Sequence, residues 1–149
     1  MAQGDLTLFN EFSGQLGMGE HDLNATDEIS VALVTNAVVP TASTTTPTFD
    51  DFTEVSGTNY TARGAEVTTP TFTQVSGSTY KFDGDNVSWT QNAGGPTDIY
   101  YGVIFNEDQA ADMAIGFIDM TVDGGTTPIS LAAGNISINW NASGVFILA

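Results

Sequence analysis

The chain contains no cysteine, so neither a disulfide nor a Cys-His dyad is open to it. At 149 residues it needs no cross-link or metal for stability, because one domain of that length buries about two-thirds of its unfolded surface. Basic residues are almost as scarce. Arg63 and Lys81 stand against eighteen acidic residues, for a formal net charge of −16. Two cations cannot form the basic stripe that neutralises phosphates, which excludes nucleic acid as a partner. A membrane surface of anionic lipid is disfavoured for the same reason. Charged residues of either sign make up only 13% of the chain, about half of the ~25% usual in globular domains. The surface is therefore largely Thr, Ser, Asn and Gly, and a chain so poor in Lys suits a salty medium that screens self-repulsion. No stretch approaches the ~20 apolar residues of a transmembrane helix. Residues 1–5 lack the basic and apolar regions of a signal peptide, so synthesis in the cytoplasm is expected.

Histidine occurs once. His21 lies between Glu20 and Asp22 in a polar stretch, and no Gly-x-Ser-x-Gly elbow accompanies it. It is expected to be an exposed loop residue whose replacement by Ala leaves stability unchanged. Eighteen carboxylates offer many pairs for glycoside hydrolysis, but nothing singles one out and few cations are present to orient it. No enzymatic activity and no cofactor are expected. Asp83-Gly84-Asp85-Asn86, Asp119 with Asp123, and Asn106-Glu107-Asp108 are oxygen-rich, as calcium requires. The EF-hand spacing is absent, and Asp-Gly is itself a turn signal, so a solvated hairpin turn at residues 83–85 is the expectation. Four Asn-x-Ser/Thr sequons, at Asn24, Asn86, Asn135 and Asn141, reflect the abundance of those residues.

What is present in quantity is short apolar segments. Ile99-Tyr100-Tyr101-Gly102-Val103-Ile104-Phe105 runs without a charge, between Asn92-Ala93-Gly94-Gly95-Pro96 and Asn106-Glu107-Asp108. The run is too short for an ordinary helix and is rich in β-branched and aromatic residues, which predicts a strand buried on both faces at the centre of a sheet. The other strand candidates alternate, with one face wet. Ile29-Ser30-Val31-Ala32-Leu33-Val34-Thr35 is the first long one, ended by Pro40. Residues 79–82, 86–90, 113–120, 136–140 and 145–148 follow. Leu8, Phe9, Phe12 and Leu16 recur at helical spacing, with Asp5 placed as N-cap and Gly17 or Gly19 as C-cap, which predicts a short amphipathic helix over residues 6–17. Residues 22–28 read as a polar turn and residues 41–49 as a Thr-rich surface loop. Thr-Pro-Thr-Phe followed by Val-Ser-Gly occurs twice, from Thr46 and from Thr69, and reads as two strand-turn-strand units with similar turn chemistry. The sum is one all-β domain over residues 1–149, an antiparallel β-sandwich or jelly-roll-like barrel of about eight to ten short strands with one N-terminal helix in residues 1–20.

The order of these motifs resembles a family of tailed-bacteriophage virion structural proteins. Its pattern begins with a Phe/Leu-containing helix, an Asp-rich turn and an Ile-x-Val-Ala-Leu-Val-Thr-like strand. A Val-Ser-Gly-x-x-Tyr-x-x-x-Gly segment and Phe-Asp-x-Asp-x-Val-x-Trp-Thr follow. It closes with Tyr-x-x-Ile, Ile-Gly-Phe-Ile-Asp and Ile-x-Trp-Asn-x-x-Gly-x-x-x-Leu. Here the seven segments are residues 9–16, 27–35, 55–64, 82–90, 101–104, 115–119 and 138–148, nearly the whole chain. The departures are Arg63, where the pattern has a second Gly before Gly64, and a longer loop at residues 106–112.

The resemblance implies a non-enzymatic virion component, a head decoration (cement) protein on the capsid exterior. Its implied partners are the major capsid protein and further copies of itself, a trimer being favoured. Many copies on a lattice supply avidity without a deep pocket. A tail or neck component is one rival reading, and a carbohydrate-binding sandwich using Trp89 and Trp140 as a sugar platform is another. Both tryptophans lie among Val and Ile neighbours, which points to core packing instead. The candidate capsid-docking residues are Leu6, Leu8, Phe9, Phe12 and Leu16, in an N-terminal arm free to lie along a neighbouring subunit. The same stripe equally suits a helix that caps the domain's own core.

Overall fold

The computed structural model describes residues 2–24 and 27–148. Among them the chain is all-β and antiparallel, a sandwich-type arrangement with a single short helix. In chain order the elements are β1 (Leu6–Leu8), α1 (Phe12–Met18), β2 (Ile29–Val34), β3 (Ala65–Glu66), β4 (Thr71–Ser76), β5 (Thr79–Asp83), β6 (Val87–Trp89), β7 (Tyr101–Asn106), β8 (Ala114–Asp119), β9 (Ile136–Ile138) and β10 (Phe146–Leu148), with a 3₁₀ turn at Phe49–Asp51. A five-stranded sheet has the order β1-β8-β7-β2-β3, a three-stranded sheet the order β10-β5-β4, and β6 pairs with β9.

β7 is the central strand, as its uninterrupted apolar run predicts, and every residue in it is buried. The strand starts two residues later than expected, because Ile99 is drawn into a separate bridge with Ile129. β2 and β8 are also buried along their whole length, which corrects the expectation that they keep a wet face. Register explains the burial. Val31 lies opposite Ile104, and Gly102 opposite Ile118, on one face of the sheet. That face packs on Val87, Trp89, Ile136 and Ile138 of the β6–β9 ribbon and on Phe82 and Phe146. The opposite face carries Ala32, Val34, Val103, Phe105 and Phe117, and aromatic residues from loops cover it: Phe9, Phe49 and Phe52. Phe49 stacks on Phe105 with ring centroids 4.4 Å apart. Residues 41–49 do run over the surface, but they end in this buried ring.

The N-terminal segment differs from its predicted form. Leu6–Leu8 is a strand, not the first turn of a helix, and pairs with β8 so that Leu6 meets Ile118 and Leu8 meets Gly116. The helix begins after Glu11, and Asp5 is not its cap. Leu-Thr-Leu alternates, so it can close an open sheet edge, whereas Gly14 and Gly17 weaken any longer helix. The predicted C-cap is present: Gly19 is left-handed at φ +79° and its N–H reaches the carbonyls of Gln15 and Leu16.

The two copies of the Thr-Pro-Thr-Phe echo also diverge. The second forms the β4–β5 hairpin around Gly77-Ser78. The first makes the 3₁₀ turn and delivers Phe49, Phe52, Val55 and Tyr60 to the core. Residues 83–85 are not a hairpin turn either, since β5 pairs with β4 and β10 while β6 pairs with β9. They carry the chain from one sheet to the next. Gly84 makes this possible, because a Cβ there would lie 2.4 Å from Val67 Cγ1. The polar turn at residues 22–28 lies partly outside the described residues.

Candidate functional site

The five residues of the N-terminal stripe are divided between the two cores. Phe9 is 2% exposed and lies between Phe52 and Phe117, at centroid distances of 6.2 and 5.4 Å. Phe12 is fully buried on the other side of the sheet, edge-on to Phe146 at 5.3 Å. Leu6, Leu8 and Leu16 are partly buried against the same core as Phe12. The phenylalanines are therefore not offered to a neighbouring subunit, and of the two roles read for this segment the geometry supports capping of the domain's own core. The large apolar side chain α1 leaves outside is Met18, 72% exposed beside a shallow pocket of about 350 Å³ that includes Asn10, Gly14 and Thr46.

His21 is the clearest correction. It is 4% exposed, not a solvated loop residue. Its Nε2 faces Gln15 Oε1 at 3.3 Å, its Nδ1 faces Asn106 Nδ2 at 3.1 Å, and its ring packs on Phe12 at 5.3 Å. Asn106, fully buried at the end of β7, also donates to Asp27 Oδ2 and accepts from the Asp108 N–H. Burial lowers the pKa of His21 below the usual histidine value, and the nearby Asp27 carboxylate offsets part of that effect. Both ring nitrogens are occupied by amides, so the imidazole activates no Ser or Thr hydroxyl. A polar residue flanked by two acids gave no local sign of burial, because the groups that enclose it are 6 and 85 residues away in sequence.

Sequence reasoning gave Arg63 no role, yet it organises one end of the central sheet. Its Nε donates to Glu107 Oε2 at 2.9 Å and an Nη donates to Asp112 Oδ1 at 2.6 Å. The guanidinium lies over the rings of Phe105 and Phe49, 5.2 and 5.7 Å from their centroids. Its backbone N–H donates to Glu54 Oε1, which also accepts from the Tyr60 hydroxyl at 2.8 Å. Tyr60 Oη in turn accepts from the Leu33 N–H at 2.9 Å. Burial above all pushes the Tyr60 pKa far up, so it stays a donor to Glu54. Asp112 first, then Glu107, hold the guanidinium firmly charged. Around this cation stand further carboxylates. The Glu28 pKa is raised by partial desolvation and by Glu107, Glu66 and Asp108.

The remaining candidates find structural partners. Asp83 accepts from Lys81 Nζ at 2.8 Å, and Asp85 accepts from the Thr68 hydroxyl at 2.9 Å. Among the described residues no three His, Asp or Glu side chains form a group that could hold a metal ion. Trp89 is 5% exposed and tilted against Tyr60. Trp140 is half-buried and donates its indole N–H to the Asp85 carbonyl at 2.8 Å. Trp89 pairs with Ile136, whereas Trp140 bonds to Asn86, so the two stand at opposite ends of the β6–β9 ribbon and form no common platform.

Two surfaces thus stand out. One is the acidic end around Glu28, Glu66, Glu107 and Asp108. The other is the β4–β5 hairpin, whose strand β4 is exposed except at Phe72. Phe72 stacks on Tyr80 at 5.5 Å, and Val75, Tyr80 and Ile147 are 58%, 39% and 47% exposed on this one sheet. No protein-family model, curated protein or solved structure matches this chain.

Proposed function

We propose that this protein is a non-enzymatic structural component of a tailed-bacteriophage virion, a capsid decoration protein that binds the head exterior and stabilises the shell. The observation that carries the reading is the order of seven sequence segments over nearly the whole chain. Support comes from where those segments fall. Residues 27–35, 101–104 and 115–119 fall on β2, β7 and β8, while 82–90 runs from the end of β5 through β6 and 138–148 from the end of β9 through β10, so much of the resemblance lies in framework strands. The one departure in loop length, residues 106–112, supplies both carboxylates that bind Arg63, the residue that departs from the Gly pattern. The two departures are parts of one cluster.

The acidic surface suits the outside of a head, where it meets no packaged nucleic acid, and the carboxylate-rich end suits basic residues of a major capsid protein. Several copies act together, a trimer at a local threefold position being the favoured form. The test is co-sedimentation of the purified protein with heads assembled without it. Saturable binding and a raised temperature of head disruption are expected. Binding to isolated tails and not to heads moves the protein to the tail, and binding to neither overturns the reading.

A further inference from the structure

We propose that the pocket beside α1, between Met18 and Met113, receives a lysine or arginine side chain of the protein on which this chain docks. The inference deepens the function proposed above and rests on it for the identity of that partner, a major capsid protein.

The pocket measures about 350 Å³, room for one long side chain, and three elements meet around it. Met18 ends α1, Thr46 belongs to the loop before the 3₁₀ turn, and Met113 immediately precedes β8. The three are tied together, since the Thr46 N–H donates to Glu11 Oε2 at 2.8 Å and Thr48 bridges to Met113. Thioether side chains make walls that adapt to the shape of a guest. Gly14 also lines the pocket, although it lies inside a seven-residue helix where glycine is the poorest choice after proline. No neighbour demands it, because a Cβ there would meet nothing within 4 Å. A side chain at this position would occupy the pocket instead. The glycine therefore weakens the helix and keeps the pocket open.

The rim selects the occupant. Glu11 and Glu20 both line the pocket, and both are half-buried. Among the described residues neither meets a cation: Arg63 is bound to Glu107 and Asp112, and Lys81 to Asp83. A purely apolar guest would desolvate these two carboxylates and leave them unpaired, which is costly. An acidic guest is repelled. A Lys or Arg side chain lays its methylenes along the thioethers and keeps its charged head at the rim, beside the carboxylates. Carboxylates are common on this surface, but here two of them flank a methionine-walled cavity. That combination favours a long cationic side chain over a small cation.

The experiment is methionine-methyl NMR on the full chain. The probes are the N-acetyl methylamides of lysine and arginine, the norleucine analogue (stem without charge) and ammonium chloride (charge without stem). The lysine and arginine probes should shift the Met18 and Met113 methyl signals saturably and leave the buried Met120 unmoved. They should bind at least about fivefold tighter than the norleucine probe, and ammonium should produce no saturable shift. Glu11→Gln combined with Glu20→Gln should remove that preference, while residue 11 can still accept from the Thr46 N–H. Gly14→Leu should fill the pocket and abolish the response. Gly14→Ala should weaken binding yet raise the melting temperature, opposite movements that a purely structural glycine does not give. In co-sedimentation with heads, Gly14→Leu and the double Gln variant should each bind at least about tenfold more weakly than wild type. No shift with either cationic probe, an equal response to the norleucine probe, or wild-type head binding by both variants overturns the proposal. A chain that takes the cationic probes but ignores heads sinks the virion reading and leaves the pocket assignment standing.

Discussion

The imidazole Nδ1 of His21 lies 3.1 Å from the side-chain nitrogen of Asn106, and that amide cannot turn round. Its oxygen accepts from the Asp108 N–H at 3.0 Å and its nitrogen donates to the Asp27 carboxylate. A flipped amide would set oxygen against carboxylate and strand the Asp108 N–H. Nδ1 is therefore an acceptor, and Nε2 carries the proton it donates to Gln15 Oε1. The network fits neutral His21 only. A second proton would face the Asn106 amide donor to donor.

Stability should consequently fall with acid before the carboxylates titrate. The folded pKa of His21 lies below its usual 6.5, so the unfolded chain takes up the proton first. The contribution is complete above about pH 6.5 and is lost as pH drops through the window below it. Urea midpoints measured from pH 7.5 to pH 5 should decline for the wild type. In His21→Gln they should start lower and stay flatter. Equal slopes for the two proteins would falsify the assignment of a neutral, locked imidazole.

Arg63 sits at φ +72°, a left-handed conformation that costs most side chains about 1–2 kcal/mol. Its guanidinium contacts offset that cost, although the side chain is 38% exposed and solvent weakens its ion pairs. Arg63→Ala keeps the strain and loses the contacts, a loss of about 1–2 kcal/mol when the two aromatic faces are included. Arg63→Gly loses the same contacts but relieves the backbone, so it should be the milder substitution. Chemical denaturation ranks the two, and an Ala variant at least as stable as the Gly variant contradicts the argument.

Gly64, next in the chain, tolerates nothing larger. Its φ is +81° and a Cβ would lie 1.9 Å from the Val31 carbonyl oxygen, where the chain enters β3 to pair with β2. Gly64→Ala should cost about 4 kcal/mol or more and yield little folded protein. Recovery of a wild-type melting temperature would show that β3 can move away freely.

The N-terminal segment belongs to the fold. Phe12→Ala should cost about 3–5 kcal/mol, since the ring is fully buried against Phe146. A chain beginning at Asp22 should be insoluble or molten. Gly116→Ala is the subtler probe: its Cβ would meet the Thr7 carbonyl oxygen at 2.8 Å and push β1 off the sheet edge. Limited proteolysis should then cleave within residues 2–10 ahead of the rest. A truncated chain that folds normally removes the capping role.

Some of this molecule is local and therefore legible in the chain itself. An uninterrupted apolar run between turn signals determined the central strand, and an alternating Ile-Ser-Ile segment determined β9, because side-chain period and burial are two views of one geometry. The net charge of −16 is likewise a property of the chain itself. Other features depend on partners remote in sequence. Ser30 and Ala32 look like the wet face of β2, but loop aromatics brought in from Phe9, Phe49 and Phe52 cover that face. Leu6 and Leu8 share a helical stripe with Phe12, yet an open edge on β8 offered them backbone pairing that an isolated helix of that composition cannot match. His21 carries no local mark of burial. Tertiary packing alone decided its state, by closing Gln15, Asn106 and Phe12 around a ring whose neighbours in sequence are two acids.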